Sequence, residues 1–189
     1  PWNFPLWQAL RFAIPTILAG NVVLLKHAPN VSGTSLKIES IFSEAGFPEN
    51  VFRSVLIQAE RSETIIRHQS IRGVTITGSE KAGSSVASLS GKYLKKCVLE
   101  LGGSDPFIVF EDADLNKSCQ VAVDSRMLNS GQVCIAAKRF IVHESLFQEF
   151  VEAQKTAILN LNLGDPMQTK TQIGPMARPD LATKLQKQI

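Results

Sequence analysis

The chain has 189 residues, of which 44% are hydrophobic and 20% charged, and its 20 basic and 17 acidic residues give a formal net charge of +3. These proportions are ordinary for a globular protein. The basic residues are scattered, and no apolar run approaches the roughly 18–20 residues that a membrane span needs, so neither nucleic-acid binding nor a membrane segment is predicted.

The first hundred residues alternate between helical and strand-like patterns. Helices are predicted over about 6–19, 32–45, 62–68 and 78–91, and strands over 21–26, 51–57, 73–77 and 95–101. Pro15 should kink the first helix, and Gly46 should end the second. The second helix is predicted to bury one face, made of Ile38, Ile41, Phe42 and Ala45.

A Gly-Gly-Pro change of composition in "ELGGSDP" predicts a junction between two domains, residues 1–101 and 102–189. Beyond it, strands are predicted over 107–110 and 139–143 and helices over about 114–128 and 145–161. The last of these helices is predicted to bury Phe147, Phe150, Val151 and Ile158. Strands that alternate with helices imply parallel βαβ units, and therefore an open α/β sheet covered on both faces.

The three cysteines, Cys97, Cys119 and Cys134, lie far apart and show no metal-ligand spacing. We expect free thiols, a reducing compartment and hence a cytoplasmic protein without a metal site. Cys97 and Cys119 lie in apolar runs and are predicted to be core residues. Cys134 follows the small and polar residues 129–132 and is either a buried core residue or a thiol placed to react.

The segment "TGSEKAG" follows a strand and opens a helix, so Gly78, Ser79 and Gly83 could form an anion-binding turn or a plain Gly-Ser turn. Two other residues also allow two interpretations. Lys26 ends a strand, where open α/β sheets bind ligands, or it is merely solvated. Glu100 ends an apolar strand and is either a base in a cleft or a loop residue.

Five motifs, "PWNFP", "LLKHAP", "TGSEKAG", "LELGG" and "NSGQVCIAAKR", occur in an order and spacing that resemble the aldehyde dehydrogenase superfamily. The resemblance covers the whole chain and is nearest to bacterial succinate-semialdehyde dehydrogenases. It implies a Rossmann-like cofactor domain followed by an incomplete α/β catalytic domain. Because members of this family are more than twice as long, we expect the chain to be an internal part of a longer protein and to be inactive alone.

The resemblance also implies roles for individual residues. Cys134 matches the nucleophile, Glu100 the general base, and Asn3 the amide that stabilises the oxyanion together with the backbone N–H of Cys134. The positions that match the NAD or NADP site are Trp2, Lys26, Gly78, Ser79, Gly83 and Leu101. Arg11 matches a residue that holds a substrate carboxylate, whereas a second arginine used by some of these enzymes is Leu128 here.

An acidic residue often follows the lysine by three positions in this family, and Pro29 stands there instead. Because a carboxylate at that place repels a 2′-phosphate, Pro29 permits NADP. The implied reaction is oxidation of an aldehyde, with succinate semialdehyde as the expected substrate, in a homodimer or homotetramer. Three alternatives stay open: a coenzyme A-dependent acylating dehydrogenase, a non-catalytic remnant, and a Cys–His hydrolase using His27, His68 or His143, each of which is expected at the surface.

Overall fold

The computed structural model describes all 189 residues, and their contacts divide the chain into unit 1, Pro1–Gly102, and unit 2, Gly103–Ile189. Unit 1 holds α1 (Pro5–Leu18), β1 (Val23–Leu25), α2 (Ser32–Glu44), β2 (Phe52–Ser54), α3 (Ser62–Ile66), β3 (Gly73–Thr77), α4 (Glu80–Lys92) and β4 (Lys96–Glu100). Unit 2 holds β5 (Asp105–Val109), α5 (Leu115–Met127), β6 (Ala137–Val142), α6 (Phe147–Leu159) and α7 (Pro179–Gln186). None of these helices is both long and apolar enough to cross a membrane.

The six strands form three parallel pairs: β1 with β2, β3 with β4, and β5 with β6. The predicted parallel βαβ organisation is therefore confirmed. The hydrogen bonds, however, form three two-stranded sheets rather than one open sheet. Cover on both faces is also incomplete, since Val98 and Leu99 of β4 are exposed.

The core of unit 1 lies between α1, α2 and the β1–β2 pair. It consists of Ala9, Ala13, Val23, Ile38, Phe42 and Phe52, and the rings of Phe42 and Phe52 stack with their centroids 4.7 Å apart. The predicted face of α2 was partly wrong, because Ile41 and Ala45 are exposed. The buried stripe is Ser35, Ile38 and Phe42 instead. A polar residue can lie in this stripe because the Ser35 hydroxyl donates to Ser54 Oγ at 2.9 Å.

The core of unit 2 joins α5 and α6 to the β5–β6 pair and contains Val109, Cys119, Ala122 and Phe150. The predicted face of α6 is correct for Phe150 but wrong for Phe147 and Val151, which are exposed. Phe147 is the first residue of the helix, and the residues of α6 that pack into the cluster are Phe150 and Ala153.

Candidate functional site

The carboxyl ends of β3 and β4 bring together several of the residues that the sequence singled out. Thr77 is paired with Glu100 across the two strands, and the Gly78 N–H donates to the Glu100 carbonyl at 3.0 Å. The loop of Gly78 and Ser79 is therefore fixed beside Glu100. In parallel α/β sheets this edge is the one that binds ligands.

The start of α4 has the features of an anion-binding helix N-terminus. Ser79 is the N-cap, and its Oγ accepts the Ala82 N–H at 3.3 Å. The first-turn N–H groups of a helix have no intrahelical acceptor and carry partial positive charge. A Cβ added at Gly78 would meet nothing closer than 3.8 Å. The N-terminus of α4 fits a pyrophosphate, such as that of a dinucleotide.

Gly83 and Leu101 are in direct contact. A Cβ added at Gly83 would lie 2.4 Å from Leu101 Cδ2, which is closer than two carbon atoms can approach without one moving. The glycine is buried, and it lets the backbone of α4 pack directly on Leu101. Two of the predicted cofactor-binding residues are thus coupled by packing.

Glu100 forms an ion pair with Arg11 of α1, with Arg11 Nη2 and Glu100 Oε1 2.8 Å apart. The two side chains are 42% and 46% exposed. Glu100 is therefore not enclosed: it is the last residue of β4, and its carboxylate reaches the guanidinium. Two residues assigned separate roles, base and substrate anchor, hold each other in this structure.

The residues before α1 lie near the end of β1. Asn3 Oδ1 accepts the Phe4 N–H at 3.1 Å, and Lys26 Nζ donates to the His27 carbonyl at 3.3 Å. His27 Nε2 is 2.9 Å from the Pro5 carbonyl, which joins this strand end to the start of α1. Trp2 is half-buried, and Pro29 is exposed at the start of a short 3-10 helix.

The histidines each have local partners. His27 is buried, so its expected surface position is wrong. Its Nδ1 accepts the Ala28 N–H at 2.9 Å, and burial, reinforced by nearby Lys26, lowers its pKa. His143 Nδ1 lies 2.8 Å from Ser145 Oγ, and His68 Nδ1 accepts the Ser70 N–H. These local contacts give no support to the Cys–His hydrolase interpretation. No group of three or more potential metal-ligating side chains occurs.

The three cysteines differ in their surroundings. Cys119 is buried in α5, its thiol points to the Phe150 carbonyl at 3.8 Å, and burial raises its pKa. Cys97 is only half-buried in β4, so its predicted core position is wrong, since one side of this strand is open. Cys134 is also half-buried, but it lies in a turn closed by the Ala136 N–H and the Val133 carbonyl, 3.3 Å apart.

The backbone before Cys134 is unusual. Asn129, Ser130 and Gly131 have φ values of 52°, 57° and 74°, in the left-handed region that residues other than glycine seldom adopt. Backbone strain of this kind persists only where the surroundings enforce it, and it is concentrated at functional sites.

Several side chains hold this strained segment. Arg126 Nη1 donates to the Gly131 carbonyl at 3.2 Å, Ser130 Oγ donates to the Gly174 carbonyl at 3.0 Å, and the Ala177 N–H donates to Gln132 Oε1 at 3.0 Å. Lys138 Nζ donates to three carbonyls of the turn, those of Val133, Cys134 and Ala136. Neither Arg126 nor Lys138 has a signal in the sequence, because a basic residue that binds nearby backbone has no distinctive pattern.

All 189 residues match the model of the aldehyde dehydrogenase family. The chain belongs to that family. A succinate semialdehyde dehydrogenase [NAD(P)+] from Escherichia coli is 49% identical over the 189 residues, and a succinate-semialdehyde dehydrogenase [NADP(+)] from Mycobacterium ulcerans is 47% identical. The crystal structure of a succinic semialdehyde dehydrogenase from Streptococcus pyogenes, in complex with NADP+, superposes with a TM-score of 0.96 at 36% identity.

Each of these comparisons covers the whole of this chain and 41% of the other protein. The chain thus spans about two fifths of the length of the curated relatives it matches. The structural likeness confirms the predicted aldehyde dehydrogenase-like α/β fold.

Proposed function

We propose that the protein to which this chain belongs oxidises succinate semialdehyde to succinate with NADP+ or NAD+. The observation that carries the proposal is the setting of Cys134. Cys97 lies in a strand and Cys119 in a helix, whereas Cys134 lies in an irregular turn that several side chains hold in place. The names of the relatives supply the substrate class.

Cys134 begins the reaction as its thiolate. Sγ attacks the aldehyde carbon, a C–S bond forms, and the carbonyl electron pair moves to oxygen, giving a thiohemiacetal oxyanion. The Cys134 N–H and the Asn3 side-chain amide are the proposed donors to this oxygen. A thioester remains on Sγ after a hydride has left the same carbon.

The residues of unit 1 fit a dinucleotide, which would supply the hydride acceptor when bound. Gly78, Ser79 and the N-terminus of α4 are proposed to bind its pyrophosphate, and Gly83 positions that helix on Leu101. Lys26 at the end of β1 is proposed to bind the adenosine ribose, and Trp2 to line the cleft. Pro29 places no carboxylate against a 2′-phosphate.

Glu100 completes the reaction as a general base. Its carboxylate takes a proton from water, the hydroxide oxygen attacks the thioester carbon, and the C–S bond breaks to release succinate and the thiolate. A coenzyme A-dependent acylating enzyme passes the thioester to a thiol and needs no such base. The presence of Glu100 therefore favours hydrolysis over acylation.

Arg11 is proposed to bind the carboxylate of the substrate. Because Arg11 also pairs with Glu100, binding of the substrate would affect the contacts of the base. A guanidinium has five N–H donors, which suit carboxylates. A substrate carboxylate that binds Arg11 competes with Glu100 for these donors. The Glu100 carboxylate is then free to accept a proton from water. A neutral aldehyde leaves the ion pair intact. The cytoplasmic location and the homo-oligomer remain predictions.

The test is a chimera in which residues 1–189 replace the matched 41% of the Escherichia coli relative. We expect it to reduce NADP+ with succinate semialdehyde, with kcat/KM for NADP+ at least comparable to that for NAD+, and a Cys134→Ala chimera provides the control. A folded chimera that forms no NADPH, or forms it only when coenzyme A is present, contradicts the proposal. A preference for NAD+ above about 100-fold, or roughly 2.7 kcal/mol, contradicts the role of Pro29.

A further inference from the structure

Lys138 has an unusual position for a lysine. It is the second residue of β6 and is half-buried, and its side chain folds back over the turn that holds Cys134. Its Nζ lies 3.1 Å from the Val133 carbonyl oxygen, 2.8 Å from that of Cys134 and 3.2 Å from that of Ala136. An ammonium group has three donors, so this turn occupies all of them.

The contact with Val133 determines the direction of another group. The Val133 carbonyl and the Cys134 N–H belong to one planar trans peptide group, in which they point in opposite directions. Because the carbonyl faces the Lys138 ammonium, the Cys134 N–H faces away from it. The Ala136 N–H binds the same Val133 oxygen at 3.3 Å and fixes the peptide further. Among the hydrogen bonds of this turn, none uses the Cys134 N–H.

The cation also makes this arrangement of carbonyls stable. Three carbonyl oxygens that converge on one point repel one another unless a positive charge lies between them, and charge-assisted hydrogen bonds are stronger than neutral ones. A hydrogen bond to the carbonyl further polarises the N–H of the same peptide. Lys138 therefore both orients and strengthens the donor that the proposed function assigns to the oxyanion.

We infer that Lys138 is a positioning residue, which fixes the peptide group between Val133 and Cys134 so that the Cys134 N–H is aimed at the oxyanion formed on the substrate. The inference rests on the proposed function for the role of that N–H. In this role Lys138 acts through the carbonyls that it binds and not on the substrate itself. A compact ammonium suits three converging oxygens, whereas a planar guanidinium does not.

The experiment compares two reagents on the 189-residue chain and follows Cys134 by peptide mass mapping. Iodoacetamide alkylates Sγ with loss of iodide and forms no oxyanion. With p-nitrophenyl acetate, Sγ attacks the ester carbon and forms an oxyanion, and then p-nitrophenolate leaves while the thiol proton goes to solvent. The ratio of the acylation rate to the alkylation rate therefore reports on the oxyanion donor and cancels the reactivity of the thiol.

We expect Lys138→Met to lower this ratio at least about tenfold, since loss of a whole oxyanion donor typically costs about 100- to 1,000-fold. Lys138→Arg keeps the charge but not the geometry and should give an intermediate ratio. The matched control is Lys155→Met, which removes an exposed lysine of unit 2 that pairs with Glu152 at 3.6 Å and should leave the ratio unchanged. Urea unfolding of each variant identifies the folded ones, and Lys138→Arg decides the test if Lys138→Met is unfolded.

Two results overturn the inference in different ways. If wild-type Cys134 acylates no faster, relative to its alkylation, than free cysteine, the nucleophile assignment fails and the inference fails with it. If wild-type Cys134 shows the advantage and folded Lys138 variants keep it, only the role of Lys138 fails. Equal slowing of both reagents by Lys138→Met shows that the lysine controls access to the thiol, which also overturns the inference.

Discussion

Cys134 is held by contacts to its backbone, whereas the side chain of Glu100 also takes part in a contact. The carbonyl oxygen of Cys134 accepts a hydrogen bond from Lys138, so the turn is stabilised through the backbone of Cys134 and not through its thiol. The carboxylate of Glu100 binds Arg11 directly. Substitution of Cys134 should therefore affect chemistry alone, whereas substitution of Glu100 also changes what Arg11 contacts.

For Cys134→Ala we expect loss of aldehyde oxidation in the chimera with cofactor binding retained, because the thiol is the only atom removed from the turn. NADPH formation is measured at saturating aldehyde, and NADP+ binding by fluorescence titration. Cys97→Ala is the matched control and should keep full activity. A Cys134→Ala rate within about tenfold of the parent, or roughly 1.4 kcal/mol of activation free energy, excludes the nucleophile role.

For Glu100→Gln we expect slow hydrolysis of the thioester with little change in hydride transfer, because glutamine keeps the shape but cannot accept a proton from water. Rapid mixing with succinate semialdehyde should show a burst of about one NADPH per site followed by a slow steady rate. If the steady rate is intact and no burst appears, Glu100 is not the base.

For Arg11→Ala we expect a large effect on the acidic substrate and a small one on stability. Loss of a charge-assisted contact costs about 1.5–3 kcal/mol, which corresponds to a roughly tenfold to hundredfold rise in KM for succinate semialdehyde. The ion pair with Glu100 is largely solvated, so its loss should cost at most about 1 kcal/mol of unfolding free energy. KM for butanal should stay nearly constant.

Arg53→Ala is the matched control for Arg11, since Arg53 forms a similar ion pair with Glu39 at 3.1 Å in the same unit. Arg53→Ala should change neither KM for succinate semialdehyde nor KM for butanal. Release of Glu100 from Arg11 should also speed thioester hydrolysis with butanal in the Arg11→Ala variant. Equal effects of Arg11→Ala on both aldehydes would mean that the arginine has a structural role only.

At the scale of elements, the packing of α4 on Leu101 provides a sharp comparison between two glycines of one helix. Gly83→Ala should destabilise the chain by about 1–3 kcal/mol, because its Cβ would displace Leu101. A Cβ added at Gly91 would meet nothing within 4 Å, so Gly91→Ala should stabilise the helix by about 0.5 kcal/mol. Urea unfolding measures both effects.

Leu101→Ala should rescue Gly83→Ala, since the smaller side chain makes room for the added methyl group. The double variant should therefore be less destabilised than the sum of the two single variants. If Gly83→Ala is as stable as Gly91→Ala, the close contact does not constrain the helix.

The sequence predicted the elements well and their buried faces less well. The helices and strands follow from local patterns, whereas the roles that the resemblance implies for Cys134, Glu100 and the start of α4 stay predictions. Periodicity could not show that α2 buries Ser35 and exposes Ile41, because the buried stripe depends on the hydroxyl of Ser54 in a distant strand. Neither the Arg11–Glu100 pair nor the Lys138 contacts have a local pattern, since each depends on tertiary placement.

At the scale of the whole molecule, each unit keeps exposed apolar side chains on its sheets. In unit 1 these are Val98 and Leu99 of β4, and in unit 2 Ile108 and Ile141 are directly paired across β5 and β6 while both remain exposed. Single exposed apolar residues are ordinary, but a paired set on a sheet face favours association.

We therefore expect the purified 189-residue chain to self-associate, with light scattering giving a mass that rises with concentration above the 20.7 kDa of the monomer. The paired isoleucines are more than half exposed, at 55% and 52%, so their contact with a second sheet face is the proposed cause. Ile108→Thr together with Ile141→Thr keeps β-branched side chains in the strands but removes apolar surface, and this double variant should lower the apparent mass. Leu18→Thr is the control, because Leu18 is 82% exposed at the end of α1 and lies outside the β5–β6 pair, so its substitution should leave association unchanged. Burial of apolar surface stabilises an association by about 25 cal/mol for each Å². The role of the isoleucine pair is therefore contradicted if the wild-type chain stays at the monomer mass up to about 100 μM, or if the double variant associates like the wild type.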